Sequence, residues 1–139
     1  METDDLRLIS PAIGIIARIL FTLIFVLSGI THFTAMRNYI DLMPAAIPFR
    51  AFWVAISAVV ELVGAALILL NHRPRLGGGW LIVLFLVPVT IAVHGTVMLT
   101  LPDPVMRAVN LSMFLKGLAM TAGALFITQF GVRPGADPG

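Results

Sequence analysis

Cysteine is missing altogether from the 139 residues. The chain therefore cannot run dithiol–disulfide chemistry, hold an iron–sulfur cluster, attach a c-type haem or form a persulfide on its own side chains. Any redox role must pass through another chain or a bound cofactor. Charge is nearly as scarce: Asp, Glu, Lys and Arg make up 12% of residues, against about 25% in ordinary soluble domains. Nine Lys and Arg against seven Asp and Glu leave a formal net charge of +2, with a pI near 9.9. The basic residues stand singly and form no patch or run, which argues against nucleic acid as a partner. The opening METDDLRLIS lacks the positive n-region of a signal peptide and is expected to be retained.

What the chain has in excess is apolar. Hydrophobic residues reach 59% and mean hydropathy is +1.02, so a soluble globular domain is excluded. A hydrocarbon core about 30 Å thick needs roughly 20 apolar residues per helix. Four stretches qualify, about Ile9 to Thr31, Phe49 to Leu70, Gly79 to Leu99 and Val105 to Phe130. Ser10-Pro11 suits an N-cap and first helical turn. The segment from Asn71 to Pro74 closes the second span, Arg75 to Gly79 opens the third, Leu101 to Pro104 separates third from fourth, and Gly131 with Pro134 stops the last. The runs are too long and continuous for barrel strands. The expected fold is all-α: a single domain forming a four-helix transmembrane bundle.

Four spans put both termini and the 71–78 loop on one side, with Arg7, Arg73, Arg75 and Arg133; Arg37, Arg50 and Arg107 fall on the other. The excess of positive charge predicts cytoplasmic termini. Trp53 and Trp80 then lie near opposite interfaces, where indoles are favoured. Between the first two spans, Met36, Tyr39, Ile40 and Met43 recur at helical spacing, which predicts a short interfacial helix before Pro44 and Pro48 turn the chain back. That helix is either a plain connector or a lid over one mouth of the bundle.

Ionisable residues inside spans cost about 2.5–3.5 kcal/mol each on insertion scales, so each needs a reason. Arg18 and Glu61 each lie nine residues from a span end on the same side. Equal depth predicts a buried charge pair, either a structural salt bridge or a tuned carboxylate that carries a proton or binds a ligand. Arg18, Thr22, Phe25, Gly29 and His32 form one stripe expected to face the bundle interior, and Ser57, Glu61, Gly64 and Ala65 form a small-and-polar face to pack against it. His32, Thr90, His94 and Lys116 are the candidate ligand residues. Converging near one end of the bundle, they would make a polar pocket with apolar walls, suited to a quinone or another prenyl-tailed molecule. Pro88 predicts a bend near Leu84. Each histidine alone also reads as an ordinary core residue, and Lys116 as a snorkelling one. A haem held by His32 and His94 is disfavoured by their unequal depth, and zinc by too few ligands; no metal is expected. Ala119 and Gly123 form a small-residue step suited to internal packing or self-association.

These residues resemble the DoxX family of small four-helix membrane proteins. The resemblance runs from about Arg18 to Phe130. It is carried by Arg18, Ser28-Gly29-x-x-His32-Phe33, Pro44 and Pro48, Glu61-Leu-Val-Gly64-Ala, and His94-Gly95. Many members of that family have Lys at the position of His32. The resemblance implies a bacterial cytoplasmic membrane protein tied to redox processes; one member type is a subunit of a thiosulfate:quinone oxidoreductase, and others accompany thiol-linked proteins. Cysteine-based activity of related families does not carry over. The expected function is a quinone-linked or redox-associated accessory subunit, with the bilayer and a redox enzyme complex as partners. A non-enzymatic scaffold and a self-associating small-solute permease are the alternatives, and whether the chain is itself an enzyme is left open.

Overall fold

The computed structural model describes residues 11–70 and 74–129. It is helical throughout its long segments: α1 (Pro11–Thr34), α2 (Met36–Leu42), α3 (Arg50–Leu69), α4 (Pro74–Val89), a π-helical turn (Thr90–Gly95), α5 (Thr96–Thr100) and α6 (Pro104–Gln129). Among the described residues there is no strand. In lipid a spanning segment must satisfy its own backbone, so apolar runs of this length fold as helices. Four helical spans are long and apolar enough to cross a membrane: Ala12–Thr34, Arg50–Leu69, Gly77–Thr100 and Pro104–Gln129. The protein is a multi-pass membrane protein with an all-α four-helix bundle. The Ser10 cap, the turn at 71–73 and the stop at Gly131 and Pro134 lie outside the described residues.

Neighbours in sequence are neighbours in space: α1 packs on α3, α3 on α4, and α4 on α6. The Phe21 ring of α1 lies against Gly123 of α6, closing the ring of helices. Gly123 thus serves internal packing, whereas Ala119 faces outward. The core comprises Phe25, Ala65, Ile68, Ile82, Val83, Leu86 and Ala124. Because lipid is as apolar as leucine, helices associate by close approach of small residues. A methyl group on Gly78 would stand 2.6 Å from the Gly64 carbonyl oxygen, and one on Gly79 3.1 Å from that of Ala124. The glycine run expected to open the third span is therefore inside α4, where it seats α4 against both neighbours.

The short helix expected between the first two spans is α2, packed against α1 and α3. Arg50, first residue of α3, donates to the carbonyls of Ile40 (3.2 Å) and Met43 (3.5 Å), tying down the end of α2. Phe49, just before it, adopts a left-handed backbone (φ 53°) to turn the chain into α3. Asp103 caps α6, accepting from the amides of Val105 (2.8 Å) and Met106 (3.1 Å), with Pro104 as first helical residue. Trp53 and Trp80 lie near the starts of α3 and α4, at opposite ends of the bundle and half exposed.

Candidate functional site at the α1–α3 contact

Thr22, Phe25, Gly29 and His32 are all buried, so the expected interior stripe of α1 is the face that meets its neighbours; Arg18 at its far end is half-buried. Glu61, Gly64 and Ala65 are buried on α3, with Ser57 partly so. Most hydroxyls on the spans are consumed by their own helix: Thr22 donates to the Arg18 carbonyl (2.7 Å) and Thr121 to that of Gly117 (2.8 Å). Ser28 instead reaches across, its Oγ donating to Glu61 Oε1 at 3.2 Å. Glu61 is 3% exposed.

This contact corrects the expected Arg18–Glu61 pair. Antiparallel helices with Ser28 opposite Glu61 place Arg18, ten residues earlier on α1, level with the C-terminal end of α3. That is about 15 Å from the carboxylate along the axis. Glu61 is paired instead with Ser28 and His32. The span ends are not level with one another: Ser28 is six residues from the end of α1, Glu61 eleven from the start of α3. The first turns of α3 therefore rise beyond α1, and α2 packs beside them.

His32 Nδ1 lies 2.7 Å from the Ser28 carbonyl oxygen. A carbonyl can only accept, so Nδ1 carries the hydrogen and Nε2 is free for another partner. Glu61 Oε2 is 3.5 Å from the same Nδ1, close enough for an ion pair with an imidazolium. The single Nδ1–H is committed to the backbone, however, and Oε2 is left buried without a hydrogen-bond partner among the described residues. Tyr39 of α2 stacks on the His32 ring, centroids 3.9 Å apart and planes 21° from parallel. Its hydroxyl lies 2.6 Å from Thr31 Oγ1. The short helix thus covers the site from one end. On the outward face of α1, Leu20, Leu23, Ile24 and Leu27 line a shallow groove that ends at Ser28 and Thr31.

The other candidates sit elsewhere, which corrects the expected convergence. Thr90 and His94 belong to the π-helical turn packed on α6, where Thr90 is buried against Gly117 and Gly95 faces Phe114. His94 Nδ1 is buried with no partner among the described residues. Lys116 is exposed on the outward face of α6, pointing away from both. The helix passes through Pro88, and its irregularity falls just beyond it, at Thr90–Gly95. Among the described residues, no three His, Cys, Asp or Glu side chains group as a metal would require. Ser28, Thr31 and Tyr39 were not among the expected site residues. The available signal was Ser28 itself, a hydroxyl one turn before His32 beside a glycine on the buried stripe.

A family model described as a domain of unknown function (DUF8561) matches residues 21–116, more than half of the chain. The chain belongs to the DUF8561 family. That match takes in Ser28, His32, Tyr39, Glu61, Thr90, His94 and Lys116, but not Arg18. No curated protein and no solved structure matches the chain significantly.

Proposed function

We propose that this DUF8561 protein binds the head group of a prenylated quinol, the reduced form of a quinone, at Ser28, His32 and Glu61, as an accessory subunit of a membrane redox system. The observation that carries the reading is Glu61 Oε2: a buried carboxyl oxygen without a partner, joined through Ser28 to an apolar groove open to the bilayer. Leaving a buried polar atom unpaired costs about 1–3 kcal/mol. A quinol hydroxyl donating to Oε2 would remove that cost, and His32 Nε2 supplies a second site for a hydrogen bond. The prenyl tail would lie along Leu27, Ile24, Leu23 and Leu20. With no cysteine in the chain, electrons would pass to another subunit. The resemblance to the DoxX family supports the same reading, and with it a bacterial cytoplasmic membrane. The arginine distribution supports cytoplasmic termini.

The test is quinone binding by the purified protein. Organic extracts should contain co-purified quinone, and a short-chain quinol should quench Trp53 fluorescence saturably. Glu61→Gln should weaken that binding by about tenfold, the worth of one hydrogen bond to a charged group. Extracts without quinone together with unsaturable quenching would overturn the proposal. The bond from Ser28 to Glu61 also locks α1 to α3, which favours a second reading as a scaffold. In that case Glu61→Gln lowers detergent stability and no quinone binds.

A further inference from the structure

We propose that the outward face of α6 around Lys116 docks a transmembrane helix of a different protein that carries a carboxylate at the same depth. Lys116 is the thirteenth of the 26 residues of α6. At 1.5 Å per residue it stands about 18–20 Å from either helix end. A lysine stem reaches about 6 Å, and the hydrocarbon half-thickness is about 15 Å. The ammonium group therefore falls short of the headgroups on both sides, and snorkelling does not rescue it. The side chain is exposed. It lies in a shallow groove formed by α6 alone, with Ala108, Leu111, Ser112, Leu115 and Ala119. Among the described residues no carboxylate pairs with it. α6 is also the least enclosed span, with 11% of its most apolar window buried against 33% for α3.

The chemistry selects the occupant. Lipid tails offer no anion at this depth. Among its described residues a second copy of the chain offers none either: Glu61 is buried between α1 and α3, and Asp41 and Asp103 lie outside the spans. Two α6 helices facing each other across a two-fold axis would set ammonium against ammonium. What fits is a foreign helix with an Asp or Glu at mid-span. Ala108, Ser112 and Ala119 are small enough to let its backbone approach closely. The pairing is independent of any ligand at Glu61.

The full-length protein, donor-labelled, is reconstituted into phosphatidylcholine vesicles with acceptor-labelled synthetic Leu/Ala transmembrane peptides. The peptides carry Glu, Gln, Lys or Leu at the central position. Energy transfer should report association about tenfold tighter with the Glu peptide than with the Gln or Leu peptide. Lys116→Met should erase that preference, and Lys116→Glu should transfer it to the Lys peptide. Lys116→Met removes a charge from an exposed mid-span position, so the variant is expected to fold; far-UV circular dichroism checks this. Equal association with all peptides overturns the proposal, as does a Glu preference that survives Lys116→Met. Self-association of the wild-type chain that is lost in Lys116→Met overturns it too, making a second copy the occupant.

Discussion

Replacing Gly29 with alanine tests the register that builds the site. A methyl group there would fall 2.7 Å from Leu62 Cγ, 3.0 Å from Leu62 Cδ2 and 3.1 Å from the Ala58 carbonyl oxygen. Carbon atoms sit best at about 3.5–4.0 Å, so α1 and α3 must separate by most of an ångström. Overpacking of this kind costs about 1–3 kcal/mol. Alanine returns about 1 kcal/mol through its better helix propensity, so the expected net loss is about 1 kcal/mol. Gly77 supplies the control, because a methyl group there meets nothing within 4 Å and should stabilise by up to about 1 kcal/mol. The two alanine variants should thus shift stability in opposite directions when unfolded by an SDS titration in mixed micelles and followed by circular dichroism. Separation also pulls Ser28 from Glu61, and their 3.2 Å bond is already long for a hydroxyl donor. Truncating the obstacle, in Gly29→Ala/Leu62→Ala, should show a favourable coupling of about 1 kcal/mol. If Gly29→Ala stabilises as Gly77→Ala does, α1 does not approach α3 at this point and the register is wrong.

At the α4–α6 contact, Gly117→Ala drives a methyl into the Thr90 hydroxyl; it should cost about 1–3 kcal/mol, and adding Thr90→Ala should recover most of it in the same titration. Asp103→Ala removes both capping bonds at the start of α6, for a loss of about 1 kcal/mol and faster amide exchange at Val105 and Met106. Tyr39→Phe keeps the ring stack on His32 but deletes the bond to Thr31. It should loosen α2 by about 0.5–1.5 kcal/mol, measured as faster amide exchange across Met36–Leu42.

Hydropathy and helical spacing reach the level of elements and faces here. The four spans, the short helix after the first, and the buried stripe from Thr22 to His32 follow from composition and period alone, because lipid forces apolar runs into helices and burial forces a repeat of 3.6. Register is a different matter. It depends on which small residue lets which backbone approach, and a hydropathy profile is blind to that. The profile puts Arg18 and Glu61 at one depth by counting from span ends. The structure sets the depth by fitting Gly29 against Ala58 and Leu62, and that fit delivers Ser28 to Glu61. Lys116 shows another limit. The expected span and α6 (Pro104–Gln129) agree on its mid-helix position, but hydropathy does not say which way it faces, and it stands on the exposed face of α6. Pro88 signalled a disturbance correctly in kind and misplaced it, because the helix widens beyond the proline, at Thr90–Gly95.

The two coverings of the site differ in what moving them would cost, and this bears on how a ligand would enter on the proposed reading. From the α2 end, Tyr39 lies stacked on His32 and bonded to Thr31, while Arg50 holds the carbonyls of Ile40 and Met43. Opening that end breaks all of these at once. From the side, Ser28 and Thr31 already border the groove on α1, and the contact to be opened there is the Ser28–Glu61 bond. A tailed molecule diffusing in the bilayer meets the second path first, with its tail parallel to α1 and its head at the depth of Ser28. Loosening α2 by Tyr39→Phe should therefore leave the association rate of a prenylated quinol unchanged. Filling the groove by Leu27→Trp should slow it. The reverse pattern would mean that entry is through the α2 end and that the groove plays no part.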